Sequence, residues 1–131
     1  MKLRFTLRPR NMDAVLRKLE ERASQLIAET GKGLYRLAAD ATPVRSGRAR
    51  ANWRCLVGSP DYSADAGTEF DPFRASSAFS AVKAGEKLCI TNSVPYIGRL
   101  EAGWSVQAPA GIAGRALSVC STNFESGAYL P

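Results

Sequence analysis

The stretch TPVRSGRARANWR (residues 42–54) places arginines among alanines just before a tryptophan. A guanidinium group binds phosphates and carboxylates through paired N–H donors. If the stretch is a strand, alternate side chains share one face, so Arg48, Arg50, Asn52 and Arg54 form a row opposite a core face that includes Trp53. Such a row can contact nucleic acid, pair with acidic groups of an adjacent subunit, or lie in solvent.

Acidic side chains are grouped in the segment GSPDYSADAGTEFDPF (residues 58–73), which is rich in Gly, Pro, Ser and Asp and is typical of a loop. The acids are Asp61, Asp65, Glu69 and Asp71. Their spacing does not match a calcium-binding loop. The two uses left open are contact with a neighbour's basic face and simple exposure to solvent.

Several kinds of chemistry are disfavoured by what the sequence lacks. It contains no histidine, which removes Ser-His and Cys-His nucleophile pairs and the commonest general base. Cys55, Cys89 and Cys120 are widely spaced without a CxxC pair, so they are expected to be reduced thiols in apolar surroundings. No GxSxG, Walker or GxGxxG pattern occurs. We therefore expect no enzymatic activity, no cofactor and no metal site.

Composition and charge are typical of one soluble domain spanning residues 1–131, with a formal net charge of +6. Residues 1–54 carry 13 basic against 5 acidic side chains, whereas residues 55–131 carry 5 against 7. This polarity suits a chain that meets DNA or acidic patches on copies of itself. No apolar run is long enough for a membrane span, and the first ten residues lack the apolar core of a signal peptide.

Hydrophobic periodicity predicts the elements that position these residues. Alternation predicts a strand at the N-terminus, and apolar residues at steps of three and four then predict one long amphipathic helix. Gly31 and Gly33 within that helix mark either a bend or a close approach of another segment. Pro95 is expected to open a further short helix that ends at Gly103. The predicted ranges are strand 1–8, helix 11–42, strand 48–57, loop 58–73, helix 75–84, strand 86–92, helix 109–124 and a flexible tail 125–131.

Three motifs follow one another along the chain: ATPVRSGRARANW, ITNSVPYIGRLEAGWS and QAPAGI. In this order they resemble the tail-component family of tailed bacteriophages and prophages, whose members lie at the neck between head and tail. The positions that carry the resemblance are Thr42, Pro43, Val44, Ser46, Gly47, Arg50, Trp53, Thr91, Asn92, Pro95, Tyr96, Leu100, Glu101, Gly103, Gln107, Pro109 and Gly111. Arg45 departs from the family pattern, where an acidic residue is frequent.

The resemblance implies an α+β fold, in which a long N-terminal amphipathic helix packs on a small antiparallel sheet and a short helix follows near the C-terminus. It also implies a structural virion protein, assembled in the bacterial host cytoplasm, that completes the tail and joins it to the head. Such a protein forms a homo-oligomeric ring around the DNA channel, a hexamer or a dodecamer. Its partners are other neck and tail proteins (adaptor, stopper, tail tube or terminator), with transient contact to DNA.

Within such a ring, the acids of the 58–73 loop and Glu101 are candidate partners for the arginine row of a neighbouring copy. Arg45 is a further candidate for the subunit interface or the DNA channel. Tyr96, Glu101 and Gln107 fit either an interface or internal hydrogen bonds of their turns. The alternative function is a DNA-binding accessory protein that uses the basic N-terminal half.

Overall fold

The computed structural model describes residues 2–5 and 12–131, which form an α+β fold, as expected. Its two strands pair antiparallel, with Trp53 opposite Asn92 and Val57 opposite Leu88. The elements in chain order are α1 (Met12–Ala41), α2 (Arg48–Ala51), β1 (Trp53–Val57), α3 (Ser76–Ala81), β2 (Leu88–Asn92), α4 (Ile97–Glu101) and α5 (Ala113–Glu125).

The core lies between the C-terminal half of α1, the sheet, α3 and α5. Small residues on α1 (Ala38 and Ala39) and on α5 (Ala116) are buried where these helices meet. The Tyr35 ring packs edge-on against Phe79, with 5.9 Å between ring centroids. The buried cluster comprises Tyr35, Ala38, Ala39, Trp53, Ala75, Phe79, Ala108, Ile112 and Ala116.

The helical glycines mark close approaches of side chains. A Cβ on Gly31 would collide with the Leu88 side chain, and one on Gly33 would lie 2.5 Å from the Tyr129 hydroxyl. Of the two interpretations that the sequence left open, close approach of another segment therefore applies at both positions. The glycines let β2 and the C-terminal residues lie directly on α1.

The strand predicted over 48–57 is wrong in its first half, because Arg48–Ala51 is helical and β1 begins only at Trp53. Gly47 has a left-handed φ of 91°, and its carbonyl accepts from Ala51 N at 2.9 Å, which closes one helical turn. Arginine and alanine favour helix over strand. Arg48 and Arg50 are therefore presented by a helical turn, and Arg54 by a strand.

The structure also differs from two predictions for the C-terminal region. The last helix begins at Ala113 instead of residue 109, because Gly111 has φ 85° and turns the chain before the helix starts. Residues 125–131 were expected to be a flexible tail. Instead, Ala128 N donates to Asn123 O at 3.0 Å, and Asn123 Nδ2 donates to the Tyr129 hydroxyl at 3.3 Å. These contacts hold the tail against the end of α5.

The N-terminal strand predicted over 1–8 is absent where it can be assessed. Residues 2–5 have no regular structure, and Leu3 and Phe5 are 76% and 90% exposed. The sheet within the described part of the chain offers these residues no paired strand. The remainder of that prediction lies outside the described residues. Across residues 2–5 and 12–131, no helix has both the length and the apolar character of a membrane span.

Candidate functional site

Three sets of hydrogen bonds hold the motif region together, and each is called a joint below. Thr42 and Trp53 form the first joint. The Thr42 hydroxyl donates to Ala38 O at 2.6 Å at the end of α1, and it accepts from the Trp53 indole Nε1 at 2.8 Å. The Tyr35 hydroxyl donates to Trp53 O at 3.3 Å. All three side chains are buried, so the tryptophan is tied to the helix by polar as well as apolar contacts. Pro43 then directs the chain away from α1.

Gln107 forms the second joint, because its amide binds both backbone groups of Val44. Its Oε1 accepts from Val44 N at 2.9 Å, and its Nε2 donates to Val44 O at 3.1 Å. The side chain thereby takes the place of a neighbouring strand. The first and third sequence motifs are in direct contact through this amide.

Glu101 forms the third joint, at the N-terminus of α5. Its Oε2 accepts from Ile112 N at 2.9 Å and from Ala113 N at 2.7 Å, and its Oε1 accepts from Gly114 N at 3.2 Å. A carboxylate in this place satisfies free N–H groups and is favoured by the helix dipole. Gly111 must approach it closely, since a Cβ there would lie 2.5 Å from the Glu101 carbonyl oxygen.

The remaining motif residues support these joints. Asn92 at the end of β2 donates from Nδ2 to Ala49 O at 2.7 Å, which ties the sheet to α2. Pro95 is exposed, while Tyr96 is half-buried directly before α4. A Cβ on Gly103 would collide with the carbonyl oxygen of Pro109. Within this chain, therefore, Glu101 and Gln107 make internal hydrogen bonds, which was one of their two expected roles.

An open cleft lies beside the joints, lined by residues 43–49 and by Tyr96, Leu100, Trp104, Ser105 and Gln107. Its volume is ≈ 680 Å³. The Trp104 ring is 71% exposed although the Arg99 guanidinium stacks 5.1 Å from its centroid, and Val106 is 96% exposed. Arg45 adds an exposed positive charge to the lining. Exposed tryptophan and arginine side chains are typical of protein-binding surfaces.

No family model, curated protein or solved structure matches this chain.

The arginine row is bound by the chain's own acidic loop. Arg54 pairs with the Asp65 carboxylate at 2.9 Å, and Arg48 Nε donates to Asp65 O at 3.0 Å. Arg50 lies 3.6 Å from the Asp40 carboxylate, and its guanidinium is 4.9 Å from the Phe70 ring centroid. Of the acids expected to pair with the row of a neighbouring subunit, Asp65 thus binds the row of its own chain, whereas Arg50 pairs with Asp40 of α1.

Asn52 holds the loop in this position. Its side chain is fully buried, donates to Arg48 O at 2.8 Å and to Asp65 O at 3.1 Å, and accepts from Asp65 N at 2.8 Å and from Arg54 Nη2 at 3.3 Å. All four hydrogen bonds available to an amide are used. Sequence reasoning placed Asn52 among the arginines and missed this role. The available signal was an uncharged residue inside the basic row.

The other acidic candidates do not meet the row. Asp61 Oδ1 accepts from Ser63 N at 2.9 Å and Asp71 Oδ1 accepts from Phe73 N at 2.9 Å, so both close local turns. The hydrogen bonds from Ser63 lower the pKa of Asp61. Glu69 is exposed. Glu101 is occupied by backbone N–H groups in a separate part of the fold.

The thiols are unpaired in the structure, with Cys120 buried and Cys55 and Cys89 half-buried. Burial raises the pKa of Cys55 to about 11, with a smaller contribution from Cys89. A thiol with such a pKa is protonated near neutral pH and is a weak nucleophile. This agrees with the small-hydrophobe role expected for Cys55.

Acid should weaken the Glu101 joint. Burial by itself raises the pKa of Glu101, but the N–H donors of Ala113, Ile112 and Gly114 outweigh it, so the pKa lies below its ordinary 4.5. A lowered pKa means that the stabilisation is complete above the unfolded-state value and is lost as pH falls through the folded-state value. At about pH 7 we expect Glu101→Gln to lower the free energy of unfolding by about 1 kcal/mol.

Urea denaturation of both proteins at about pH 7 and about pH 3 measures this effect. The difference between them should shrink at the lower pH, because the stabilisation by the wild-type carboxylate is lost progressively as pH falls below the unfolded-state pKa towards the folded-state pKa. Glu69→Gln is the matched control, since it removes an exposed carboxylate and should match wild type at both pH values. An equal Glu101→Gln deficit at both pH values would contradict the charged-cap interpretation.

Proposed function

We propose that this chain is a structural virion protein of a tailed phage or prophage, which forms a ring at the neck. There it completes the tail and joins it to the head around the DNA channel. One observation carries the proposal: the three motifs that resemble the tail-component family meet in space. Gln107 links the third motif to the first through Val44, and Glu101 links the second to the third through Ile112. Asn92 links the second to the first through Ala49, and the Thr42–Trp53 hydrogen bond closes the first motif on itself. The contact between Val44 and Gln107, 63 residues apart in the chain, supports the interpretation of the first and third motifs as parts of one unit.

The cleft beside this unit supports a role in assembly. Val44, Trp104 and Val106 expose 46%, 71% and 96% of their surface, respectively, beside an open concave site. An exposed apolar patch next to a concave site marks a protein–protein contact. We assign the cleft to contact with an adjacent protein of the neck, either a second copy or another tail component. Arg45 and Arg99 supply positive charge for an acidic partner.

The arginine row gives the DNA-binding alternative less support than its sequence did. Arg54, Arg48 and Arg50 each have a partner in the same chain. A row held in this way presents fewer free donors to phosphates.

Knock-out of the gene in a phage, followed by electron microscopy of the lysate, tests the proposal. Filled heads beside separate tails are expected.

Intact infectious virions from the knock-out would overturn the neck assignment. The DNA-binding alternative would then be tested by duplex binding at rising salt, since phosphate contacts make affinity fall steeply.

Complementation of the knock-out tests the cleft. Trp104→Ala should fold like wild type, because the ring is exposed, yet restore infectivity at most weakly. Tyr62→Ala is the matched control, since Tyr62 is an equally exposed aromatic residue, at 73%, that does not line the cleft. Plaque counts that are equal for both variants would remove the cleft from the assembly surface.

A further inference from the structure

The N-terminal part of α1 lies outside the core. Every residue from 12 to 22 is exposed, and the buried residues of α1 start only at Gly31. Four large apolar side chains are nevertheless present there. Met12, Val15, Leu16 and Leu19 are 50%, 49%, 48% and 58% exposed, respectively. The sequence predicts one apolar face along this helix, called the stripe below. Only the C-terminal half of the stripe packs on the rest of the fold.

These four side chains share one face of the helix, because they follow one another at steps of three and four residues. Half-buried Ala23, Leu26 and Ile27 extend the same face towards the core. Leu26 and Ile27 then border an apolar groove that also contains Phe124, which is 49% exposed. The uncovered surface is therefore continuous from residue 12 to the groove and requires a partner with an apolar face of its own.

Charged residues along the two edges of the stripe differ in sign. Asp13 and Glu20, seven residues apart, lie along one edge, and Lys18 and Arg22, four apart, lie along the other. Glu20 and Arg22 stand at nearly the same height, since two residues rise about 3 Å along a helix. Each copy thus carries an acidic edge and a basic edge beside one apolar face.

We infer that this face is a contact between copies of the chain whose α1 helices run parallel and in register. In a parallel pair, or in a larger cyclic bundle, the acidic edge of one helix meets the basic edge of the next, so Glu20 faces Arg22 of its neighbour. In an antiparallel pair, acidic edges would face each other and basic edges would do the same. The inference rests on the self-association that the proposed function requires, and adds the surface and the orientation.

Cysteine cross-linking of the purified full chain tests the orientation, and it also traps a weak contact. Met12→Cys and Leu19→Cys are made separately, with Cys55, Cys89 and Cys120 replaced by alanine, and are oxidised mildly. Each variant alone should form disulfide-linked dimers, because parallel helices in register bring identical positions together. Glu21→Cys, on the opposite face, is the matched control and should give background only. If the alanine replacements unfold the chain, the native cysteines are kept and the wild-type chain sets the background.

Two results would overturn the inference. One is cross-linking only in a mixture of the Met12→Cys and Leu19→Cys chains, which indicates antiparallel helices. The other is cross-linking at neither position. If neck assembly and the Trp104 requirement hold in the phage while these cysteines do not react, the inference fails and the proposed function stands.

Charge reversal gives an independent test. Reversal of the acidic edge (Asp13→Lys with Glu20→Lys) should lower the association constant about tenfold in a parallel assembly, because attractive edges become repulsive. Reversal of the basic edge as well (Lys18→Glu with Arg22→Glu) should restore association. In an antiparallel assembly the first change would merely replace one like-charge contact with another. Unchanged sedimentation of the acidic-edge variant would therefore contradict the parallel arrangement.

Discussion

Trp53→Ala is expected to lower the free energy of unfolding by about 3–5 kcal/mol, the usual cost of deleting a large buried aromatic side chain. Trp53 is only 7% exposed and belongs to the main buried cluster. Its removal also leaves the Thr42 hydroxyl without its indole donor. The expected loss is a large fraction of the roughly 5–15 kcal/mol by which an ordinary domain is stable.

Trp53→Phe separates the two contributions. It keeps most of the apolar ring and removes the N–H group, so we expect a loss of about 1–2 kcal/mol. The chain has two tryptophans. In the Trp104→Phe variant, which keeps Trp53, the fluorescence of Trp53 therefore reports directly on the core during urea unfolding. If Trp53→Ala were no more destabilising than Trp104→Ala, the core assignment would be wrong.

Asn52→Leu is expected to cost about 3 kcal/mol, because it removes the hydrogen-bond partner of several backbone groups at once and leaves those groups unsatisfied. Asp65 N, Asp65 O and Arg48 O lose the hydrogen bonds that Asn52 provides. Leucine is larger than asparagine, so the substitution leaves no cavity and the loss reflects the missing polar contacts together with any overpacking. The 58–73 loop should also detach, and limited proteolysis should cut within it faster than in wild type.

Asp65→Asn is the matched control for Asn52→Leu. It removes the exposed end of the Arg54 ion pair but keeps both backbone hydrogen bonds to Asn52. Half of the Asp65 side chain is exposed, at 51%, so the expected loss is much smaller than that of Asn52→Leu. Equal destabilisation by the two variants would show that the ion pair, and not the asparagine, holds the loop.

The helices that could be predicted were those with a long, regular apolar pattern. The spacing of apolar residues from Met12 onwards indicated α1, and the start of the observed helix lies there. Pro43 indicated its end, which the structure places at Ala41. The strand residues Leu88 and Ile90 were expected on one face, and both pack against the core. The local sequence pattern was sufficient in these cases because each element packs on the core through the face that its apolar residues form.

The short helix α2 could not be predicted, because its sequence alternates as a strand does. A left-handed Gly47 and the Asn52 amide, which binds Arg48 O, favour the helical turn instead. The Asn52 amide also binds the loop at Asp65, in a segment with no regular pattern. The function of Glu101 was hidden for a similar reason. Its partners lie 11 to 13 residues further along the chain, across the Gly111 turn.

The Gln107 joint has a consequence for how the cleft binds. Val44 is held through both its N–H and its C=O, so one wall of the cleft has the constraint of a paired strand. Binding then freezes little additional backbone motion in that wall, and the entropy cost of association falls mainly on exposed side chains such as Arg45 and Trp104. A partner would meet a preformed backbone surface and adjust to it through rotamers, which favours rapid docking without a large conformational change.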